Sequence, residues 1–175
     1  MAGRFTIQMT EPHLYHFRAM SAGDLPMLRR WLSMPHVVQW WGDPNTQFDL
    51  VSEDLSHPAM DQFIVATEDR PFAYIQCYDP AVWDAHYFSP QPKGTRGMDQ
   101  FIGEPDMTDR GHGSAFIRQF ADERFLRGTP RVLTDPDPEN ARAVRAYEKA
   151  GFQRDRLVDT PDGPALLMIR NAGPQ

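Results

Sequence analysis

Three groups of residues in this chain have the types and spacing to do chemistry. In Gly97-Met98-Asp99-Gln100-Phe101 an aspartate stands in the middle of a strand-like run, where Asp is disfavoured. Such a local inconsistency marks either a functional carboxylate or one that bonds nearby amides at a bulge or strand end. Asn140, Val144 and Tyr147 form the second group. Seven residues make about two helical turns, so Asn140 and Tyr147 share a stripe. That stripe either packs inward, with the phenol bonded to a backbone partner, or presents an amide and a phenol to a cleft. The third group is Arg110-Gly111-His112-Gly113-Ser114. Glycines let a ligand approach the backbone, and the first-turn N–H groups of the helix that follows suit a phosphate. A glycine pair before a helix is also what a simple turn looks like.

These groups need a scaffold to bring them together. Leu14 to Arg18 alternates like a strand. From Asp24 to Trp41 the spacing of Leu25, Leu28, Trp31 and Leu32 is helical, Pro35 breaks the run, and a short second helix ends at Gly42; Gln47 to Leu55 reads as a third. Gln62 to Thr67 and Phe72 to Tyr78 are β-rich and joined by a turn-like Glu68-Asp69-Arg70-Pro71, which predicts an antiparallel hairpin. Asp79 to Thr95 is a long loop, of a length usually functional or mobile. Gly97 to Ile102 is a strand, and Gly111 opens a helix carrying Phe116, Ile117, Phe120 and Phe125. Arg131 to Thr134 is a strand. Asp137 as N-cap with Pro138 behind it predicts a helix to Ala150, stopped by Gly151. Phe152 to Val158 and Ala165 to Arg170 close the chain as strands around Pro161-Asp162-Gly163. This order predicts an α/β (α+β) fold with a mixed sheet and helices on its faces.

Composition bounds the rest. The 175 residues, 41% hydrophobic and 24% charged, describe an ordinary globular protein and a single domain over residues 1–175. No apolar run nears the ~18 residues that span a bilayer, and Met1 to Thr10 lacks the features of an export signal. One cysteine, Cys77, allows no internal disulfide. The expected location is therefore the cytoplasm, with no membrane partner. The net charge is −6, and 17 of the 24 acids are Asp, a residue that favours caps and turns over helix surfaces. Acids gathered on loops are either solvated turn residues or the lining of a cleft for a cation. The 16 Arg and 2 Lys form no stripe, which argues against nucleic acid as a partner. No histidine has a second ligand at metal spacing with a third group, so no metal is expected.

Taken together, several segments resemble the GCN5-related N-acetyltransferase (GNAT) superfamily, and within it the aminoglycoside 6′-N-acetyltransferases. They are Trp31-Leu32 through His36 to Gly42 with its Trp40-Trp41 pair, Arg96 to Phe101, Arg110 to Gly113, Thr134-Asp135-Pro136 through Asn140 to Tyr147-Glu148-Lys149-Ala150-Gly151-Phe152, and Thr160 to Ala165. They stand in family order over about residues 25 to 169. The resemblance implies a mixed central sheet with two splayed parallel strands, Gly97 to Ile102 and Arg131 to Thr134, and acetyl-CoA in the opening. It gives acetyl-CoA to Arg110, Gly111, His112, Gly113, Ser114, Asn140 and Arg145. Thr108 stands where the family's phosphate loop usually has Gln or Arg, which weakens one expected side-chain contact and leaves the backbone N–H cradle intact.

The resemblance also gives Asp99 the role of amine binding first and base second, and Tyr147 the role of proton donor to the departing thiolate. It places Trp41, Asp84, Asp135 and Asp162 beside a polycationic small-molecule amine, while Trp40 is expected in the core. The implied activity is acetyl-CoA-dependent acetylation of an aminoglycoside 6′-amine, by a monomer or homodimer. Two other readings stand beside it: an acyltransferase for a lysine- or hydroxylamine-type amine in siderophore assembly, and a non-catalytic acyl-CoA-binding module on the same fold.

Overall fold

The structure is a computed structural model that describes residues 15–68, 70–83 and 86–173. Among these residues, seven strands form one sheet: β1 (Tyr15–Ala19), β2 (Met60–Thr67), β3 (Arg70–Tyr78), β4 (Arg96–Ile102), β5 (Arg131–Thr134), β6 (Gln153–Thr160) and β7 (Gly163–Asn171). The spatial order is β1-β2-β3-β4-β5-β7-β6, and neighbours are antiparallel except β4 and β5. That parallel pair meets at two positions, Arg96 opposite Val132 and Gly97 opposite Leu133. From Met98 to Ile102, β4 stays paired to β3 and has no residue of β5 in register. The sheet therefore opens on one side of β4, as the splayed pair expected from the sequence.

Helices cover both faces. On one, α4 (His112–Leu126) and α5 (Ala141–Lys149) bury Phe116, Ile117, Phe120, Val144 and Tyr147 against Val65, Ile75, Met98 and Val132. On the other, α1 (Leu25–Leu32), α2 (Pro35–Trp41) and α3 (Pro44–Glu53) bury Leu28, Trp31, Leu32, Val37 and Val51 against Ile64, Tyr74 and Phe101. A third cluster joins Phe88 of the β3–β4 loop to Leu133, Val158, Ala165 and Leu167. Alternation along β4 explains how one strand serves both layers: Met98 lies in the first cluster and Phe101 in the second.

Two helix starts differ from the sequence expectation. α3 begins at Pro44 under an Asp43 cap, whose Oδ1 accepts from the Thr46 N–H at 2.8 Å. α5 begins at Ala141, three residues past Pro138, with Asn140 as the N-cap; its Oδ1 accepts from the Ala143 N–H at 3.1 Å. Asp137 instead closes the preceding turn by accepting from the Glu139 N–H at 2.8 Å. The physical reason is the double Asp-Pro: each proline pushes the residue before it toward extended backbone. The Pro136 carbonyl, moreover, accepts from the β7 Leu166 N–H at 2.9 Å. The segment thus runs extended beside the sheet before the helix can begin.

Candidate active site

A cleft of about 950 Å³ lies across the sheet opening, lined by residues of α2, β3, β4, α4, α5 and the β6–β7 turn. At its centre two side chains from opposite faces of the sheet converge. Asp99 stands opposite Gln76 in the β3–β4 ladder, and its Oδ2 accepts from Gln76 Nε2 at 2.9 Å. It is a regular ladder position, so the bulge or strand-end reading does not hold. Burial pushes the Asp99 carboxyl above the usual carboxylate range, and the Gln76 bond opposes that rise. Tyr147 comes from the other face, buried on α5 with its ring 5.5 Å from that of Phe152. Its hydroxyl faces the side chains of Thr134 and Gln100, with Gln100 Nε2 at 3.4 Å. Burial lifts the phenol to about 12, so it remains a proton donor at neutral pH.

The cleft carries charge of both signs. Asp99 and Asp162, in the β6–β7 turn, lie close enough to act on Asp135 after β5, and Asp43, Asp109 and Asp137 line the cleft as well. Arg142, Arg145 and Lys149, at helical spacing on one side of α5, also line it, with Arg142 3.4 Å from Asp109. Asp135 is half-buried, and burial with the charges of Asp99 and Asp162 raises it to about 8. At pH 7 it is therefore largely protonated, and a cation arriving beside it favours ionisation.

This carboxyl has a stability signature. The folded state keeps the Asp135 proton up to about pH 8, whereas the unfolded chain loses it near 3.8. The native state thus binds more protons across that window, and stability falls as pH rises through it. Asp135→Asn, which has no proton to lose, is expected to gain thermal stability over wild type progressively from about pH 4 to about pH 8 and then level off. Thermal melts of both proteins across that range check this; a difference independent of pH would contradict it.

The phosphate-type turn is formed as the sequence suggested. Asp109 and Gly111 are left-handed, with φ of 58° and 83°, and α4 starts at His112. A Cβ on Gly111 would meet nothing within 4 Å, and one on Gly113 would reach Ile102 Cδ1 at 3.8 Å. Protein packing thus does not demand glycine at 113. Its effect is to keep the backbone of the first turn open toward the cleft, as a phosphate cradle requires. Gly111, Gly113 and Ser114 all line the cleft, together with Asn140 and Arg145. Asn140 commits its Oδ1 to the helix cap, which leaves its Nδ2 as the group it can offer a ligand.

Not every expected side chain joins the site. The His112 imidazole turns back to β1, where its Nδ1 lies 2.9 Å from the Tyr15 hydroxyl and its ring 5.4 Å from that of Phe72. The His112 side chain thus points away from the cleft, and what this residue brings to the first turn of α4 is its backbone N–H, as in the backbone cradle that the resemblance implies. Arg110 is exposed at the apex of the turn and does not line the cleft. Asp84 lies outside the described residues. Trp41 lines the cleft with its ring 4.8 Å from that of Phe101. Trp40, expected in the core, is half-buried and lines the cleft as well.

The structure adds residues that sequence reading passed over. Gln76, Gln100, Tyr78, Tyr87, Thr134 and Asp43 all line the cleft. The Tyr78 ring lies across its register partner Gly97, where a Cβ would come within 2.3 Å of Cζ. Glycine at 97 is thus what lets this tyrosine fold over the last paired position of the parallel strands. Among the described residues no cluster of three or more His, Cys, Asp or Glu could hold a metal ion.

Comparison with known proteins agrees with this geometry. Residues 21–160 match the family described as acetyltransferase (GNAT) domain. An aminoglycoside N(6′)-acetyltransferase type 1 of Klebsiella pneumoniae is 33% identical over 162 residues, covering 87% of this chain and 81% of that protein. A kanamycin resistance protein of Rhizobium radiobacter is 41% identical over 78 residues, covering 44% of this chain and 72% of its own length. Among solved structures, aminoglycoside acetyltransferase AAC(6′)-Ib in complex with coenzyme A and kanamycin superposes with a TM-score of 0.81 at 31% identity, covering 90% of this chain and 95% of that one. The same enzyme in complex with paromomycin and acetyl-CoA gives the same TM-score and covers 93% of that chain.

Proposed function

Since the chain belongs to the GNAT acetyltransferase family and is an acetyl-CoA-dependent acetyltransferase, we propose that the amine it acetylates is the 6′-amine of an aminoglycoside antibiotic. The observation that carries this reading is the trio of carboxyls Asp99, Asp135 and Asp162, close to one another in a cleft that the glycine turn and Arg145 also line. A polycationic sugar suits the carboxyls, and a pyrophosphate suits the N–H groups of the turn. Supporting this, the Klebsiella relative and the solved structures named above are aminoglycoside acetyltransferases, one of them described with kanamycin, and the Rhizobium relative is a kanamycin resistance protein. A cytoplasmic location belongs to the proposal, as does a single catalytic domain acting as monomer or homodimer. Among the described residues no helix is long and apolar enough to cross a membrane.

Acetyl-CoA, when bound, supplies an activated acetyl group and a thiolate that must be protonated as it leaves. The backbone of Gly113 and Ser114 with Asn140 Nδ2 and Arg145 would hold it, on the fit described above. Asp99 holds the substrate ammonium at the centre of the cleft, and its burial-raised pKa brings it nearer to accepting the proton the amine must lose before attack. Tyr147 keeps its proton at neutral pH and donates it to the sulfur. Gln100 and Thr134 fix the direction of that phenol. The balance closes: the new C–N bond replaces the C–S bond, the ammonium gives its first proton to Asp99, which passes it to solvent, and Tyr147 gives its proton to the departing sulfur and regains one from the nitrogen as the adduct collapses to the amide. Asp135 and Asp162 bind further ammonium groups of the same substrate.

Release of free thiol from acetyl-CoA against a panel of amines tests the substrate class. Aminoglycosides are expected to turn over, and lysine- and hydroxylamine-type amines to give background rates. Turnover of the latter alone would favour the siderophore-type activity, and bound acetyl-CoA with no amine turned over would make the chain a binding module.

A further inference from the structure

We infer that Tyr74 and Gln76 form a positioning relay that keeps Asp99 ionised and aimed into the cleft. The inference rests on the reading of Asp99 as the amine-binding carboxylate, and goes beyond it to what sets that carboxylate's charge and direction.

The relay follows from register. Gln62 on β2 stands opposite Gln76 on β3, and Gln76 opposite Asp99 on β4. Three polar side chains thus form a row across the sheet, beneath the α1–α3 layer. The row is anchored away from the cleft, where buried Gln62 donates from Nε2 to the Val51 carbonyl of α3 at 2.9 Å. Tyr74, two residues before Gln76 and on the same face, is fully buried. Its ring stands 5.4 Å from that of Phe101 and 6.2 Å from that of Trp41. Its hydroxyl is therefore held by packing. That hydroxyl donates to Gln76 Oε1 at 2.8 Å, and Gln76 Nε2 donates to Asp99 Oδ2 at 2.9 Å.

The chemistry of an amide makes this chain directional. Gln76 Oε1 can only accept and Nε2 can only donate. With Tyr74 donating to Oε1, the amide must present N–H to Asp99, and the oxygen that receives it carries no proton. If the amide reversed, its oxygen would face a carboxylate oxygen, an arrangement tolerable only when Asp99 is protonated. The Tyr74 hydroxyl thus selects the Gln76 orientation that favours ionised Asp99. The selection matters because burial pushes this carboxyl the other way, and because, among the described residues, the titratable groups whose charge acts with that of Asp99 are all acidic or phenolic. These are Tyr74 and Tyr78 on β3, Tyr147 on α5, Tyr87 in the short helix His86–Phe88, and Asp135 after β5.

The test is the pH dependence of kcat/KM, whose acid limb reports the groups of the free enzyme that must be ionised. Tyr74→Phe keeps the ring and removes the donor. Losing a bond that favours the charged form raises the Asp99 pKa, so the acid limb is expected to move to higher pH by about one unit. At a pH on that limb, kcat/KM should fall about tenfold, with the KM for acetyl-CoA unchanged. Gln76→Met, which removes the amide without adding charge, should move the limb in the same direction and covers the case in which Tyr74→Phe fails to fold. Limbs that superimpose on wild type in the folded variants, or a loss of activity equal at every pH, would overturn the relay. Asp99→Asn separates the two claims. If it stays active, the reading of Asp99 fails and the relay with it; if it is inactive while the limbs of the other variants do not move, the relay alone fails.

Discussion

Asp99→Asn is expected to lower acetyl transfer by about 10³-fold, within the range of about 10²–10⁴ seen when a positioned acid or base is removed, while acetyl-CoA binding is retained. The substitution is nearly isosteric and leaves the β3–β4 register intact. Its consequences are electrostatic. The new amide can still accept from Gln76 Nε2, but its other terminal group is then an NH₂ turned to the ammonium, a donor facing a donor. The amine loses both its negative partner and its proton acceptor. On the proposed function acetyl-CoA is held instead by the α4 turn and α5, which this substitution does not alter. Initial rates together with calorimetric acetyl-CoA titration check this, and a variant with near wild-type rates would remove Asp99 from the chemistry.

Tyr147→Phe is expected to reduce kcat by about 10²-fold, with the KM for acetyl-CoA changed less than about twofold. The ring packs against Phe152 and sits in the main core cluster, contacts that Phe preserves, so the fold should survive. What is lost is a hydroxyl that burial keeps protonated to about pH 12. A donor used as the thiolate departs affects the transition state more than the ground state, which is why kcat carries the loss. Equal losses in kcat and in acetyl-CoA affinity would instead indicate that the phenol serves binding.

On the proposed function, a chain with net charge −6 binds both an anionic and a cationic substrate in one cleft. The bases on α5 and the first turn of α4 suit the anion, and Asp99 and Asp162, with Asp135 once a cation beside it favours its ionisation, suit the cation. The distribution of charge, more than its sum, fits the two ligands.

Much of this arrangement is legible in the residues because it depends on local signals. Gly111 needs a left-handed backbone, and it does open α4. The short strands on either side of that helix are the parallel pair, and the aspartate out of place in β4 lies in the cleft. What stayed hidden depends on long-range register or on competing local choices. His112 is set by Tyr15, 97 residues away, and nothing near Gly111 announces that partner. Gln76 and Gln100 are ordinary polar residues of strands until register puts them against Asp99 and Tyr147. At the start of α5, Asp137 and Asn140 are both good caps, and the extended Asp-Pro pairs settle the choice for Asn140.

Thiol release from acetyl-CoA with two aminoglycosides identical except at the 6′ position, one bearing an amine and the other a hydroxyl, decides whether the 6′-amine is the acceptor. Saturable turnover of the 6′-amine compound is expected, with one acetyl group added, and background rates for its 6′-hydroxyl partner. Equal rates for the two, or acetylation of the first at another amine, would contradict the proposal.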